Sequence, residues 1–222
     1  MITKFIIKIT TVGNFANKID SSKELVYTSY EINEAFEGKY EVRANIPVIN
    51  INHQNALNID KEISSIFYNK VNSLLAEAKK EGTGKALYTV SYSAYLNQNI
   101  LSLVIRANLK EGDNPQRTII KSYNYNLSTN QEITLSEMLG IKGVTTDIAQ
   151  KKIKEEVEEA IKYTESLSSL GYSQYYQRDI NSDIYKVEKA DNYFIGPNES
   201  IYIIYAYGNA SFTTENDIVY IK

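Results

Sequence analysis

Apolar residues recur along this chain with two different periods, and each change of period marks the end of one element and the start of another. Ile2 to Thr10 and Leu25 to Ile32 read as β segments separated by the polar loop Asn14 to Lys23. Tyr40, Val42, Ala44 and Ile46 then alternate with polar residues, and the run is expected to stop at Pro47, which has no N–H to give to a ladder. From Ile59 the period becomes helical. Ile59, Ile63, Ile66, Phe67, Val71, Leu74, Leu75 and Ala78 follow at spacings of three and four, forming one stripe. Asn58 is the expected N-cap, Asp60 and Glu62 sit in the first turn, and Gly82 is the expected stop.

The period returns to two in Ala86 to Leu96, where Ala86, Tyr88, Val90, Tyr92, Ala94 and Leu96 share a face. Asn97-Gln98-Asn99 supplies a turn, and Leu101, Leu103, Ile105, Ala107 and Leu109 return as a second strand, which predicts a long antiparallel hairpin. A third strand, Thr118 to Leu127, leads to a turn in which Asn130 is expected to be left-handed, and a short helix is expected around Ser136 to Leu139. A second long helix is predicted from Thr146 to Thr164, capped by Thr145 or Thr146, with Ile148, Ile153, Val157, Ala160, Ile161 and Thr164 on its buried side. Leu167 to Asp183 shows no clear period. Tyr193 to Ile195, the turn Gly196-Pro197-Asn198-Glu199 and Ile201 to Tyr205 predict another hairpin, with Ile218 to Ile221 as a last strand. Strands precede helices without βαβ alternation, so the expected class is α+β, an antiparallel β-sheet packed against two long α-helices. No composition shift or repeat divides the 222 residues; the chain reads as residues 1–110 and 111–222, two packed halves or one compact unit.

Composition narrows the chemistry. There is no cysteine, which excludes disulfides, a thiol nucleophile and thiolate metal sites, and the single histidine, His53, excludes a multi-histidine centre. No cofactor is implied. A net charge of −3 argues against a nucleic-acid partner. Lys151, Lys152 and Lys154 are followed by Glu155, Glu156, Glu158 and Glu159, a solvated helix face with i,i+4 pairs. No stretch reaches the roughly 18 apolar residues of a membrane span. Met1 to Thr10 lacks a cleavage site and is interrupted by Lys8, so it reads as a strand and not as a signal peptide.

Catalytic signatures are sparse. Gly82-Thr83-Gly84-Lys85 has the ending of a phosphate-binding loop, but position 79 is lysine and the segment closes a helix, so a helix stop is the expected role. His53 lies among Asn50, Asn52, Gln54 and Asn55, with no carboxylate beside it to orient a catalytic imidazole. The 27 acidic residues leave a carboxylate-based glycan hydrolase open by inventory, although none sits in an obviously apolar stretch.

The marked bias is 19 tyrosines. Tyr88, Tyr92, Tyr123, Tyr125, Tyr202 and Tyr205 fall on predicted strands, where the ring suits a pleated surface. Tyr172, Tyr175 and Tyr176, close to Arg178, fall on none and are the better candidates for recognition.

Several stretches carry a resemblance. Ile46-Pro47-Val48-Ile49 with the helix after Asn58, the run Tyr123 to Leu135 with Ser136 to Leu139 after it, Asn192-Tyr193-Phe194-Ile195, and the closing Ile218 to Ile221 resemble the extracytoplasmic region shared by RsiV-type anti-sigma factors and the accessory part of PdaC-type peptidoglycan deacetylases. The resemblance covers roughly residues 25 to 222, with a PdaC-like first half and an RsiV-like second half. One departure stands out. The family's Gly-Gly-Ala-His-Gly-like loop is here Glu111-Gly112-Asp113-Asn114-Pro115-Gln116-Arg117, without the histidine, and Asn130 replaces a turn glycine.

The resemblance implies a non-catalytic binding or sensor module at the bacterial cell envelope, whose partner is a lysozyme-like protein or a cell-wall glycan. Its expected ligand-contacting residues are Asp113, Asn114, Arg117, Tyr172, Tyr175, Tyr176 and Arg178. The resemblance implies an extracytoplasmic location, with an export signal or anchor lying outside this stretch; composition alone leaves a cytoplasmic one open. A purely structural or assembly role is the remaining alternative.

Overall fold

A computed structural model describes residues 6–12, 15, 19–78, 85–170, 177–207 and 215–222. It divides into two compact units, Met1–Ala94 with Val104–Lys121, and Tyr95–Leu103 with Ser122–Lys222.

In the first unit, β1 (Ile6–Val12), β2 (Val26–Phe36) and β3 (Tyr40–Ile49) form an antiparallel meander. β3 then continues through Pro47 and does not stop there. Pro47 lies opposite Thr28, next to the place where the register jumps from Thr28 to Tyr30, and a bulge of this kind tolerates a residue with no N–H. β4 (Ala86–Asn97) pairs with β3 in parallel over Tyr40 to Ala44, so one βαβ crossover interrupts the otherwise antiparallel order that the sequence suggested. β5 (Ile100–Glu111) follows β4 after two residues, and β6 (Arg117–Asn126) lies beside β5. These three strands are long enough to contribute to both units.

The crossover is not one long α-helix. α1 (Gln54–Ile63) passes through a π-helical turn at Ser64–Tyr68 into α2 (Asn69–Ala78). The buried positions explain the interruption. Ile63, Phe67 and Val71 are all fully buried and follow in two consecutive steps of four, which would drift around a regular α-helix. A wider turn, closed by the Asn69 N–H on the Ser64 carbonyl, keeps them on one line against the sheet. The helix also starts earlier than the Asn58 cap predicted. His53 is the N-cap, its Nδ1 accepting from the Asn55 N–H at 3.3 Å. The expected stop at Gly82 lies outside the described residues.

In the second unit, β6 closes through a turn with Asn130 at φ 56° onto β7 (Gln131–Glu132), as its left-handed preference predicted. α3 (Leu135–Ile141) begins with a capping box between Thr134 and Glu137. α4 (Thr146–Ser169), capped by Thr145, is the one long α-helix; the expectation of two is not met. Its buried line is Ala149, Ile153 and Val157, and Ile148, placed inside by the sequence reading, is 57% exposed because it lies one residue off that line. Lys152 pairs with Glu156 at 2.8 Å and Lys151 with Glu155 at 3.9 Å, as their spacing predicted. After two single turns of 3-10 helix, β8 (Asn192–Ile195), β9 (Ile201–Ala206) and β10 (Asn216–Ile221) form a second antiparallel sheet in the order β10-β9-β8. Its inner face gives Ile195, Ile201, Ile203, Val219 and Ile221 to a core shared with Ile153 and Val157.

A seam of side chains fixes β8 within this unit. Ser102 and Asn124 are buried; the Ser102 hydroxyl donates to Asn124 Oδ1 at 2.7 Å and accepts from the Ile195 N–H at 3.1 Å. Asn124 Nδ2 donates to the Tyr193 carbonyl at 2.7 Å, and the Tyr193 N–H donates to the Ser122 hydroxyl at 2.8 Å. Every buried polar group in the seam is thus satisfied, the condition for placing such groups in a core.

Candidate binding surface

The outer face of the β10-β9-β8 sheet is where an alternating strand would normally turn polar residues to water. It does not do so here. Phe194, Tyr202 and Tyr220 are directly opposed across the three strands. Phe194 and Tyr202 stack at 4.8 Å between ring centres and 9°, and Tyr202 and Tyr220 meet at 5.2 Å, tilted by 52°. Tyr95, near the end of β4, extends the row by stacking on Phe194 at 5.6 Å. All four rings are half-buried. Ile204 and Ile218 occupy the same face, and Ile218 is 58% exposed.

The loop before β9 holds the row in place. Gly196 passes beneath Tyr202, and Asn198 lies between two hydroxyls, donating to Tyr220 Oη at 3.0 Å and accepting from Tyr202 at 3.3 Å. Lys222 Nζ stands 5.7 Å from the Tyr220 ring centre. The result is a ribbon of ring edges and hydroxyls with amide and ammonium groups beside it. Ring area of this kind, with few rotatable bonds, binds at low conformational cost.

Behind the sheet is a polar cluster. Arg178 donates through Nε to both oxygens of Asp217, at 2.9 and 3.0 Å, and through Nη1 to the Thr164 hydroxyl at 2.8 Å. Its guanidinium lies 4.3 Å from the Tyr207 ring centre. The buried Tyr185 hydroxyl donates to Asp217 at 2.7 Å, and burial together with that carboxylate raises its pKa far above the ordinary phenol value. Here the candidate Arg178 faces inward, tied to Asp217 and Thr164.

The other sequence candidates have different settings. Asp113 and Asn114 are exposed in the turn between β5 and β6, in the first unit. Arg117 shares Glu111 with Lys70, at 3.2 and 2.6 Å respectively. Tyr172, Tyr175 and Tyr176 lie outside the described residues. The sequence reading discounted Tyr202 as a strand residue and did not single out Tyr95, Phe194 or Tyr220. The available signal was three short strands, each with an aromatic where the alternation calls for a polar residue.

Asp60, on α1 in the first unit, is the other unusual acid. It is fully buried; Oδ1 accepts from the Ile49 N–H at 2.7 Å, and Oδ2 has no hydrogen-bond partner. Burial pushes its carboxyl up to about 7. Among the described residues, no three His, Asp or Glu side chains converge in a metal-holding arrangement, and no helix is long and apolar enough to cross a membrane.

No protein-family model matches the chain, and no curated protein matches it. Among solved structures, it is similar to a DUF3298 family protein from Pseudomonas aeruginosa PAO1, with 9% identity and a TM-score of 0.48 over 83% of this chain and 82% of that one. It is also similar to a member of the DUF3298 family from Bacteroides fragilis, with 13% identity and a TM-score of 0.41 over 99% and 90%.

Proposed function

We propose that the chain is a non-catalytic binding or sensor module of the bacterial cell envelope that contacts a lysozyme-like protein or a cell-wall glycan. The contact surface is the outer face of the β10-β9-β8 sheet. One observation carries this reading: the inner face of a three-stranded antiparallel sheet is packed into the core, while its outer face carries a row of half-buried rings, and of the apolar residues on that outer face only Ile204 is buried. A half-buried aromatic row with a polar rim is the composition of a recognition surface. The resemblance to the PdaC-like and RsiV-like halves supports the location and the class of partner. The two most buried acids support a non-catalytic role, since Asp217 is tied to Arg178 and Tyr185, and Asp60 sits alone in the other unit.

The test is a binding titration of the full chain against lysozymes and against soluble muropeptides, with Tyr202→Ala alongside. The expected result is binding that weakens at least tenfold in the variant. Absence of binding to any of these at high micromolar concentration, or equal binding by the variant, refutes it.

A further inference from the structure

β10 is the end strand of its sheet, and α4 runs beside it in the opposite direction. The residues lining the space between them show this. At one end Ile148, Lys151 and Lys152 of α4 face Ile221 and Lys222; at the other Glu159 and Tyr163 face Asp217, Ile218 and Val219. Ile218 belongs to the outer face of the sheet and Val219 to the inner face, so a depression lined by both lies at the edge of the strand. Each end has a volume of about 360 Å³. Among the described residues no strand follows β10, so alternate N–H and C=O groups between Ile218 and Ile221 lack a ladder partner.

The walls are apolar where side chains of an added strand would fall. Ile148 is 57% exposed and Tyr163 66% exposed on α4, and Val157 lies in the floor between them. The charges are sorted by position. Lys222 stands at one end, where Lys151 pairs with Glu155, and Glu159 stands at the other, while Lys152 and Glu156 satisfy each other midway.

We propose that this groove binds an extended peptide segment of a partner protein as an added antiparallel strand on β10. Backbone hydrogen bonds to β10 supply affinity, and alternate apolar side chains fill the spaces beside Ile148 and Tyr163. An antiparallel strand brings its amino end to Lys222 and its carboxyl end to Glu159. The preferred peptide is therefore acidic at its amino end and basic at its carboxyl end. The groove suits one strand better than a second copy of this chain, because a second β10 would bring its own α4 into the same space. The proposal rests on the reading of this unit as a binding module, but not on the aromatic row.

The probe is a synthetic nine-residue peptide alternating valine and threonine, with two aspartates at its amino end and two lysines at its carboxyl end. Hydrogen–deuterium exchange on the full chain is expected to show the amides of Ile218 and Tyr220, which face away from β9, exchanging at least tenfold more slowly with the peptide bound. Tyr163→Asp, a change on an exposed helix face, is expected to weaken binding at least tenfold without altering the exchange of the core strands. Exchanging the terminal charges of the peptide is expected to weaken it about fivefold. Tyr202→Ala is expected to leave this binding intact, which separates a failure here from a failure of the aromatic face. Three results overturn the proposal: no protection at millimolar peptide, equal binding by Tyr163→Asp, or amides of Ile218 and Tyr220 already protected without peptide. Protection that grows with protein concentration alone, with a dimer in sedimentation, also overturns it in favour of edge-to-edge self-pairing.

Discussion

The ring of Tyr202 lies so close over Gly196 that a Cβ on residue 196 would come within 2.4 Å of it. Glycine is required there by the neighbouring ring, since the close approach is to a side chain packed between Phe194 and Tyr220. Gly196→Ala is therefore expected to displace Tyr202 from its stack and to destabilise the second unit by about 1–3 kcal/mol. The tyrosine signal in near-ultraviolet circular dichroism, followed with the thermal midpoint, checks this; an unchanged spectrum would show that the ring moves freely.

Asp60 gives unit 1 a pH dependence of definite sign. Its folded carboxyl titrates at about 7, against an ordinary value of 3.8. Between these values the unfolded chain has released a proton that the folded chain still holds, so stability falls as the pH rises. The contribution is complete below about 3.8, is lost progressively up to about 7, and stays lost above that. Asp60→Asn keeps an oxygen for the Ile49 N–H and removes the charge. The variant is expected to be more stable than the parent at pH 8, by about 2 kcal/mol, and to lack most of the slope below neutrality. Urea unfolding across pH 4 to 8.5 measures both.

Arg178 and Asp217 are both largely buried, so removing either partner strands the other. Arg178→Met alone is expected to cost about 3–5 kcal/mol, and the double variant Arg178→Met with Asp217→Leu much less than the sum of the single changes. A double-mutant cycle by chemical denaturation decides it. Additive effects would mean that the pair is not coupled, despite its two short contacts.

His53 caps α1 through a single long contact from Nδ1. Aspartate is a better acceptor at this position, and its charge favours the helix dipole. His53→Asp is expected to raise stability by about 0.5–1 kcal/mol, and His53→Ala to lower it by a similar amount. Thermal melts of the three proteins give the order directly. A drop in His53→Asp would point to an imidazole contact beyond the cap.

Much of the fold was legible in the sequence because hydrophobic period and turn chemistry are local. The hairpin at Gln98, the left-handed Asn130, the cap at Thr145 and the hairpin that includes Ile201 to Tyr205 all follow from neighbouring residues. The misreadings depend on non-local facts. Pro47 continues its strand because Ser29 bulges out of the strand opposite. The π turn appears because Phe67 and Val71 must reach the same sheet as Ile63. Ile148 turned outward because the buried line of α4 runs through Ala149, Ile153 and Val157, one residue off. The aromatic row was hidden for a related reason: Phe194, Tyr202 and Tyr220 are ordinary strand residues until register places them side by side. Arg178 looked available because it follows Tyr172, Tyr175 and Tyr176 in a stretch with no predicted strand, and its true partner, Asp217, is 39 residues away.

The seam that holds β8 has a consequence for how this unit can vary. A backbone ladder is rebuilt by almost any sequence, because each residue brings its own amide and carbonyl. Here the corresponding duties fall to Ser102, Ser122 and Asn124, and Asn124 uses both ends of its amide at once. No aliphatic residue can inherit that task, and an aspartate offers two acceptors where one donor is needed. The attachment of β8 along its edge away from β9 is thus written in a few letters of the chain, while its ladder to β9 could be rewritten freely so long as the alternation were kept.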